Sequence, residues 1–438
     1  MSSKIVRSTV LFAAFAATAL AVHGCATPCE QIARQRQEIL ERRLEPTAEP
    51  HLVAAVSLQV VNEMIAPRVQ EIEPQRLEVP LSGVLSSLSG VGLDDLVLRP
   101  TSVEVVPSPQ GRVGIVVLLD VGPPNETYFS MRVAGDVEPR FDPQTNRVEV
   151  ELRIDDFRSM QPIMSEGAAD RLGQALHRQL PAMMRLLVPP QAIAEAARFV
   201  TTFVLTSAYP VLRDALFTDL DPVARFSVAL PDLPIERIDF STTADDGGRL
   251  VLAMHTGLPV AAGIGVPDAL ELAGHGGIDV TVAGPAVAEL ANWGMREGRL
   301  PARYDDRGRP TDGGPYQVAL SWSVDADDPR PLRVHVWKLE PRCLHAVIAA
   351  RPELRLEGGE LVLEVQDRRV EELEGPPLAE VARWLAPLWL RALSSTQSVA
   401  STFALEAGGR SLSARVTDVS ITGAAVRLRV DLVEPYTQ

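Results

Sequence analysis

The most reactive side chains in this sequence are its three thiols, Cys25, Cys29 and Cys343. A thiol can be acylated, can pair with a second thiol, or can ligate a soft metal. The spacing does not support a metal: there is no Cys-x-x-Cys, and no histidine stands in a ligand-like pattern with Cys29. Cys29 and Cys343 can pair in an oxidising compartment, but the sequence leaves their separation in space open. Cys343-Leu344-His345 reads as strand, which turns Cys343 and His345 to the same side. With no third ligand nearby, they read as a structural cysteine beside an unrelated histidine. The other histidines are scattered, with no i, i+4 pair and no HExxH. No GxSxG elbow occurs, and Ser82-Gly83 and Ser89-Gly90 fall in a loop. Asp305, Asp306, Asp312, Asp325, Asp327 and Asp328 match no calcium-loop spacing and read as a solvated acidic region. The expectation is therefore no catalytic residue, no metal, no cofactor and no enzyme.

Cys25 has a specific context. Lys4 and Arg7 precede an apolar run, LFAAFAATALAV, of about twelve residues. That is shorter than the roughly 20 residues a spanning helix needs, and it has the length of a secretory apolar core. The run closes on Val22-His23-Gly24-Cys25, which resembles a bacterial lipoprotein signal. Val22, Gly24 and Cys25 match that family's box, and His23 departs from it. The resemblance implies a signal peptide over 1–24, an acyl chain such as palmitate on Cys25, and cleavage before it. Ala26, not Asp, follows the cysteine, which in that family implies the outer membrane of the cell envelope.

Charge narrows the partners. The formal net charge is −15, and residues 1–24 hold two basic and no acidic residues, so the mature chain carries −17. So acidic a surface argues against nucleic acid and against docking on anionic lipid. The membrane would be met through the lipid anchor. Apolar content of 46% is enough for real cores.

Positioning elements follow in chain order. Residues 25–48 are polar and read as a tether or a short helix. Val53, Val56 and Val60 recur at helical spacing and predict a helix over 51–70. Short runs rich in Val, Ile, Leu and Phe between Arg76 and Phe157 predict a meander of about four strands, split by turn signals. Leu172, Leu176, Leu180 and Met183 mark a long helix, and strands return by Leu258. The Gly-rich stretch 261–284 reads as a linker between a first unit, 49–260, and a second, 285–438. The second repeats the order, with Val381, Trp384, Leu385 and Leu388 on its late helix. The fold class expected is α+β: two tandem, elongated units of highly curved antiparallel sheet, each wrapped around long helices.

This order resembles the tubular lipid-binding superfamily, of the bactericidal/permeability-increasing type. The residues that carry the resemblance are Ala286–Gly298, similar to the helix opening that family's second unit, and the hairpin Leu354–Leu363. It implies a lipid or another apolar small molecule as partner. The groove lining would come from Val53, Val56, Val60, Leu172, Leu176, Leu180, Met183, Val381, Trp384, Leu385 and Leu388. The function expected is a membrane-anchored lipoprotein that binds or transfers such a ligand; the alternative is a structural envelope lipoprotein with solid cores.

Overall fold

The computed structural model describes residues 28–41, 47–69, 75–77, 96–108, 112–122, 127, 129–163, a few positions between 167 and 195, 224–244, 248–273, 277–338, 343–375, 397–407 and 410–433. Helix α1 (Pro28–Leu40) opens the described chain. Strand β1 (Leu52–Ser57) runs straight into α2 (Leu58–Val69). There follow β2 (Gln75–Leu77), β3 (Leu96–Pro107), β4 (Val113–Gly122), β5 (Phe129–Val137), β6 (Arg140–Asp142), β7 (Arg147–Leu152) and β8 (Phe157–Ile163). After them come β9 (Ala224–Ala229), β10 (Ile235–Thr243), β11 (Arg249–Thr256), α3 (Val266–Leu272), β12 (Ile278–Ala283) and α4 (Gly284–Arg296). The chain closes with β13 (Arg303–Tyr304), β14 (Tyr316–Trp322), β15 (Leu332–Lys338), β16 (Leu344–Glu357), β17 (Glu360–Glu374), β18 (Gln397–Ala400), β19 (Thr402–Ala407), β20 (Arg410–Ile421) and β21 (Ala425–Val433).

Three antiparallel sheets organise these strands. A central ten-stranded sheet runs β10-β11-β1-β12-β21-β20-β19-β9-β7-β6. A five-stranded sheet, β2-β3-β4-β5-β8, belongs to the first half, and a six-stranded sheet, β13 to β18 in order, to the second. As the third and fourth strands of the central sheet, β1 pairs with β12, from Leu52↔Val282 to Val56↔Ile278. Outward from that seam lie β11 and β10 on one side, β21 and β20 on the other.

This architecture corrects the expected one. Sheet outweighs helix, and the labelled helices among the described residues are short, so long helices wrapped by curved sheet are not what organises the chain. The helix expected over 51–70 begins only at Leu58. Leu52–Ser57 is a strand because it is enclosed by β11 and β12, and Leu52, Val53, Ala54 and Ala55 are all buried. A short continuous apolar run fits a buried central strand as well as a helix face. The stretch expected as a linker, 261–284, carries α3 and β12, and β12 is paired on both sides inside the central sheet.

Each central strand leads into its helix with no loop, and each helix then holds its meander by one asparagine. On α2, the Asn62 amide donates to the Val105 carbonyl (3.1 Å) and accepts from the Val105 N–H (2.6 Å). On α4, Asn292 donates to the Leu320 carbonyl and accepts from the Leu320 N–H, both at 2.8 Å. β2 pairs with β3 only at Leu96–Leu98, and β13 pairs with β14 only at Tyr316 and Gln317. Both residues therefore lie on edges past the end of a short partner strand, where a carboxamide replaces the missing ladder bonds. α4 can start against the second sheet because its first residue is glycine. A Cβ on Gly284 would stand 2.2 Å from the Trp322 indole nitrogen, which itself donates to the Gly423 carbonyl at 2.8 Å.

Asn292 is buried, so Asn292→Ala leaves two backbone groups of Leu320 without partners. We expect a loss of about 1–3 kcal/mol in urea unfolding. Asn62→Ala, at a half-buried site, should cost less. Equal midpoints for wild type and Asn292→Ala would refute this account of the edge.

Candidate functional site

The three thiols lead to the site. Cys29 and Cys343 form a disulfide, with Cα atoms 5.3 Å apart and 314 residues of separation in sequence. Cys25 lies outside the described residues, four positions before Cys29. The disulfide joins α1 to the start of β16. The helix is mostly polar, but Ile32, Ile39 and Leu40 recur at i, i+7 and i+8, which gives one narrow apolar stripe. Ile32 is 1% exposed and packs with Ala319, Trp337 and Cys343, while Ile39 and Leu40 pack at the margin. Residues 28–40, expected within a tether, are thus a helix docked on the six-stranded sheet.

Beneath it, strand periodicity collects polar rings that the sequence scatters. His335 and Trp337 stand two apart on β15, and Trp337 pairs in register with His345 on β16. The three rings are nearly parallel, with centroids 5.2–5.7 Å apart. The Ser321 hydroxyl lies 2.8 Å from His335 Nε2, and His335 Nδ1 lies 3.4 Å from His345 Nε2. His345 Nδ1 faces Glu374 Oε2 at 3.8 Å, too far for a hydrogen bond, and Gln35 of α1 donates to the other Glu374 oxygen at 3.4 Å. The side chains of Gln35, Arg36, Trp337 and His345 each keep one buried polar atom without a hydrogen-bond partner among the described residues. Such groups weaken an interface, so the apolar stripe alone is a poor clamp and the disulfide closes it.

Both histidines are neutral at ordinary pH. Burial, then His345 and Arg333, push the His335 ring down to about 4. Burial also lowers His345, against the opposing pull of Glu374 and Glu372. A second pair lies in the central sheet. His51 accepts at Nδ1 from the Thr256 N–H (3.1 Å), and its ring is pushed down to about 4 by burial and by His255.

Ser321 beside His335 has the spacing of a nucleophile and its base. Two flanking N–H groups that could serve as oxyanion donors are already bonded. The Leu320 N–H is bonded to Asn292 and the Ser323 N–H to the Pro331 carbonyl. The arrangement is a neutral relay inside an interface. Period-2 spacing in Val334-His335-Val336-Trp337 and in Cys343-Leu344-His345 carries the signal for it, but only the register joins the two strands.

Of the other residues expected to function, Val53 is 2% exposed in the central core and Val56 is half-buried against that core. Val60 is half-buried on α2. Leu172, Leu176, Leu180, Met183, Val381, Trp384, Leu385 and Leu388 lie outside the described residues. In the acidic region, Asp305 accepts from the N–H groups of Arg307 and Arg309, both at 2.8 Å, and these bonds hold its carboxyl below the usual range. Asp328 pairs with Arg333 at 2.8 Å. No group of three or more metal-ligating side chains is found among the described residues.

No family model matches the chain, and no curated protein matches it. Among solved structures it is similar to P47 of Clostridium botulinum E1, at TM-score 0.41 and 10% identity over 88% of this chain and 99% of that one. P47 from Clostridium botulinum A2 gives 0.39 and 8% over 87% and 97%. A lipopolysaccharide binding protein gives 0.27 and 12% over 88% and 100%. These superpositions are loose, and the functional reading rests on the residues above.

Acid should loosen this site. A histidine whose folded pKa lies below its ordinary value takes up its proton more readily when unfolded, so stability falls as pH drops from about 6.5 towards 4. His335 accounts for at most about 3 kcal/mol of that loss. Thermal melts at pH 7 and pH 4.5 should differ less in His335→Gln than in wild type. An unchanged difference would show that the ring is not held neutral by the fold.

Proposed function

We propose that this chain is a non-enzymatic lipoprotein of the bacterial cell envelope, attached to the outer membrane through an acyl chain on Cys25. Its body would bind or transfer a lipid or another apolar ligand. The observation that carries the reading is α1: a disulfide-joined helix that begins three residues after the matched cysteine. A disulfide is stable only in an oxidising compartment, which agrees with an exported chain.

Support for an apolar ligand comes from the β16–β17 hairpin. The register Leu354↔Leu363 and Leu356↔Leu361 lines up one apolar row, which Val365 extends. These side chains are half-buried, whereas Leu332, Val334, Val336 and Ile348 of the same sheet are buried. Each methylene of a ligand taken out of water against such a row gains about 0.8 kcal/mol. The scaffold reading draws on Val53, which is packed solidly among Leu52, Ala54 and Met254. The Ser321–His335 contact, whose flanking Leu320 and Ser323 N–H groups are already bonded to Asn292 and Pro331, favours neither reading.

Two measurements test this. Cys25→Ser should move the protein from the membrane to the soluble fraction; retention would place the anchor on the body. Organic extraction of that soluble protein, followed by mass spectrometry, should recover a lipid, and the emptied protein should take up a fluorescent fatty acid. If neither occurs, the scaffold reading replaces this one.

A further inference from the structure

The chain between the matched cysteine and the disulfide is short. Cys29 stands four positions after Cys25, and an extended chain spans at most about 3.5 Å per residue, so the two lie within about 14 Å of each other. Cys29 is bonded to Cys343, and Ile32 is sealed against Trp337 one turn further on. Without that docking, the first fixed point of the body would be Pro50, whose carbonyl accepts from the Ile264 N–H at 2.8 Å. The chain from Cys25 to Pro50 could extend to about 85 Å. The disulfide therefore sets how far the body stands from its anchor, and which end of it faces the bilayer.

We propose that the Cys29–Cys343 disulfide clamps the lipid anchor to one end of the six-stranded sheet, so that this end rests on the bilayer surface and the Glu357–Glu360 turn points away from it. The inference rests on the reading that Cys25 is acylated. The membrane-proximal end holds the start of β16, the end of β15 and the start of β14. There Lys338 pairs in register with both Leu344 and Tyr316. Its ammonium stands 4.7 Å from the Tyr316 ring centroid and 3.3 Å from Asp306. The opposite end is the tight turn at Gly358 and Gly359, both at positive φ. β16 runs 14 residues from Leu344 to Glu357, which at about 3.3 Å per residue places the turn some 43 Å along the strand. A chain of net charge −17 has no general attraction to an anionic bilayer, so covalent reach decides the orientation. The half-covered row at Leu354, Leu356, Leu361 and Leu363 then lies towards the far end of the hairpin, away from the anchoring bilayer.

Lysine supplies a clean probe. It occurs only at Lys4, inside the signal segment, and at Lys338. The full mature protein is labelled with an amine-reactive donor and placed in phosphatidylethanolamine/phosphatidylglycerol vesicles that carry a headgroup acceptor. A second protein, Lys338→Arg with Glu360→Lys, carries the donor at the turn. Lys338→Arg alone gives the background. Transfer from position 338 should exceed transfer from position 360 severalfold. Reducing the assembled protein in place, or combining Cys29→Ser with Cys343→Ser, should bring position 338 down to the level of position 360. Equal transfer from the two positions in the oxidised, acylated protein overturns the orientation. Unchanged transfer after reduction overturns the clamp. The intact mass separates these outcomes from failure of the underlying reading: a mature chain with no acyl group on Cys25 sinks that reading and the orientation with it.

Discussion

The pairing of β1 with β12 is the contact on which the rest of the fold depends. These two strands come from different halves of the chain, and their ladder lies inside the ten-stranded sheet. Each is also paired on its other side, β1 with β11 and β12 with β21, so the ladder is enclosed. Both strands then pass directly into helices. The direction of α2 and α4 is therefore set by the central sheet, and each helix fixes a meander through one asparagine. Beside the seam, Asp279 is 2% exposed and is held by Arg427 at 2.7 Å and Arg429 at 3.3 Å from β21. A carboxylate so deeply buried is tolerable only with both partners in place, which pins the β12–β21 register as well.

The disulfide works at a different scale. It closes a loop of more than three hundred residues, for which the chain-entropy model gives on the order of 5 kcal/mol of stabilisation. That gain is set against an interface with several buried polar atoms lacking partners. The balance explains why a helix with so narrow an apolar stripe, Ile32 and its neighbours, lies on the sheet at all. Without the covalent bond, α1 would retain little more than the burial of Ile32 and the marginal contacts of Ile39 and Leu40.

The sequence carries part of this plainly. Alternation in Val148, Val150 and Leu152 marks β7, and the Gly358-Gly359 turn marks the β16–β17 hairpin. It misleads where one pattern serves two structures. Val53 and Val56 have helical spacing, yet the run Leu52–Val56 is a strand enclosed on both edges, and no local signal separates the two. The Gly-rich stretch before β12 looks like a linker because its strand is short and the glycines surround it. The histidine site was half visible, since period-2 spacing places Cys343 beside His345 and His335 beside Trp337. Bringing the two pairs together takes the β15–β16 register, a long-range property.

The parts of the docked-helix site also impose an order of assembly. Cys343 is held in place only once β14, β15 and β16 have paired, because Trp337 and Ala319 form the surface that receives Ile32. Cys29, by contrast, is made 314 residues before Cys343. The clamp itself needs an oxidant, and burial holds the His335 and His345 rings below the ordinary histidine pKa. The docked arrangement is thus conditional on compartment twice over, through thiol oxidation and through histidine charge. A chain whose thiols stayed reduced would keep its central sheet, since the β1–β12 ladder involves no thiol, and would lose the covalent link between its first helix and its body.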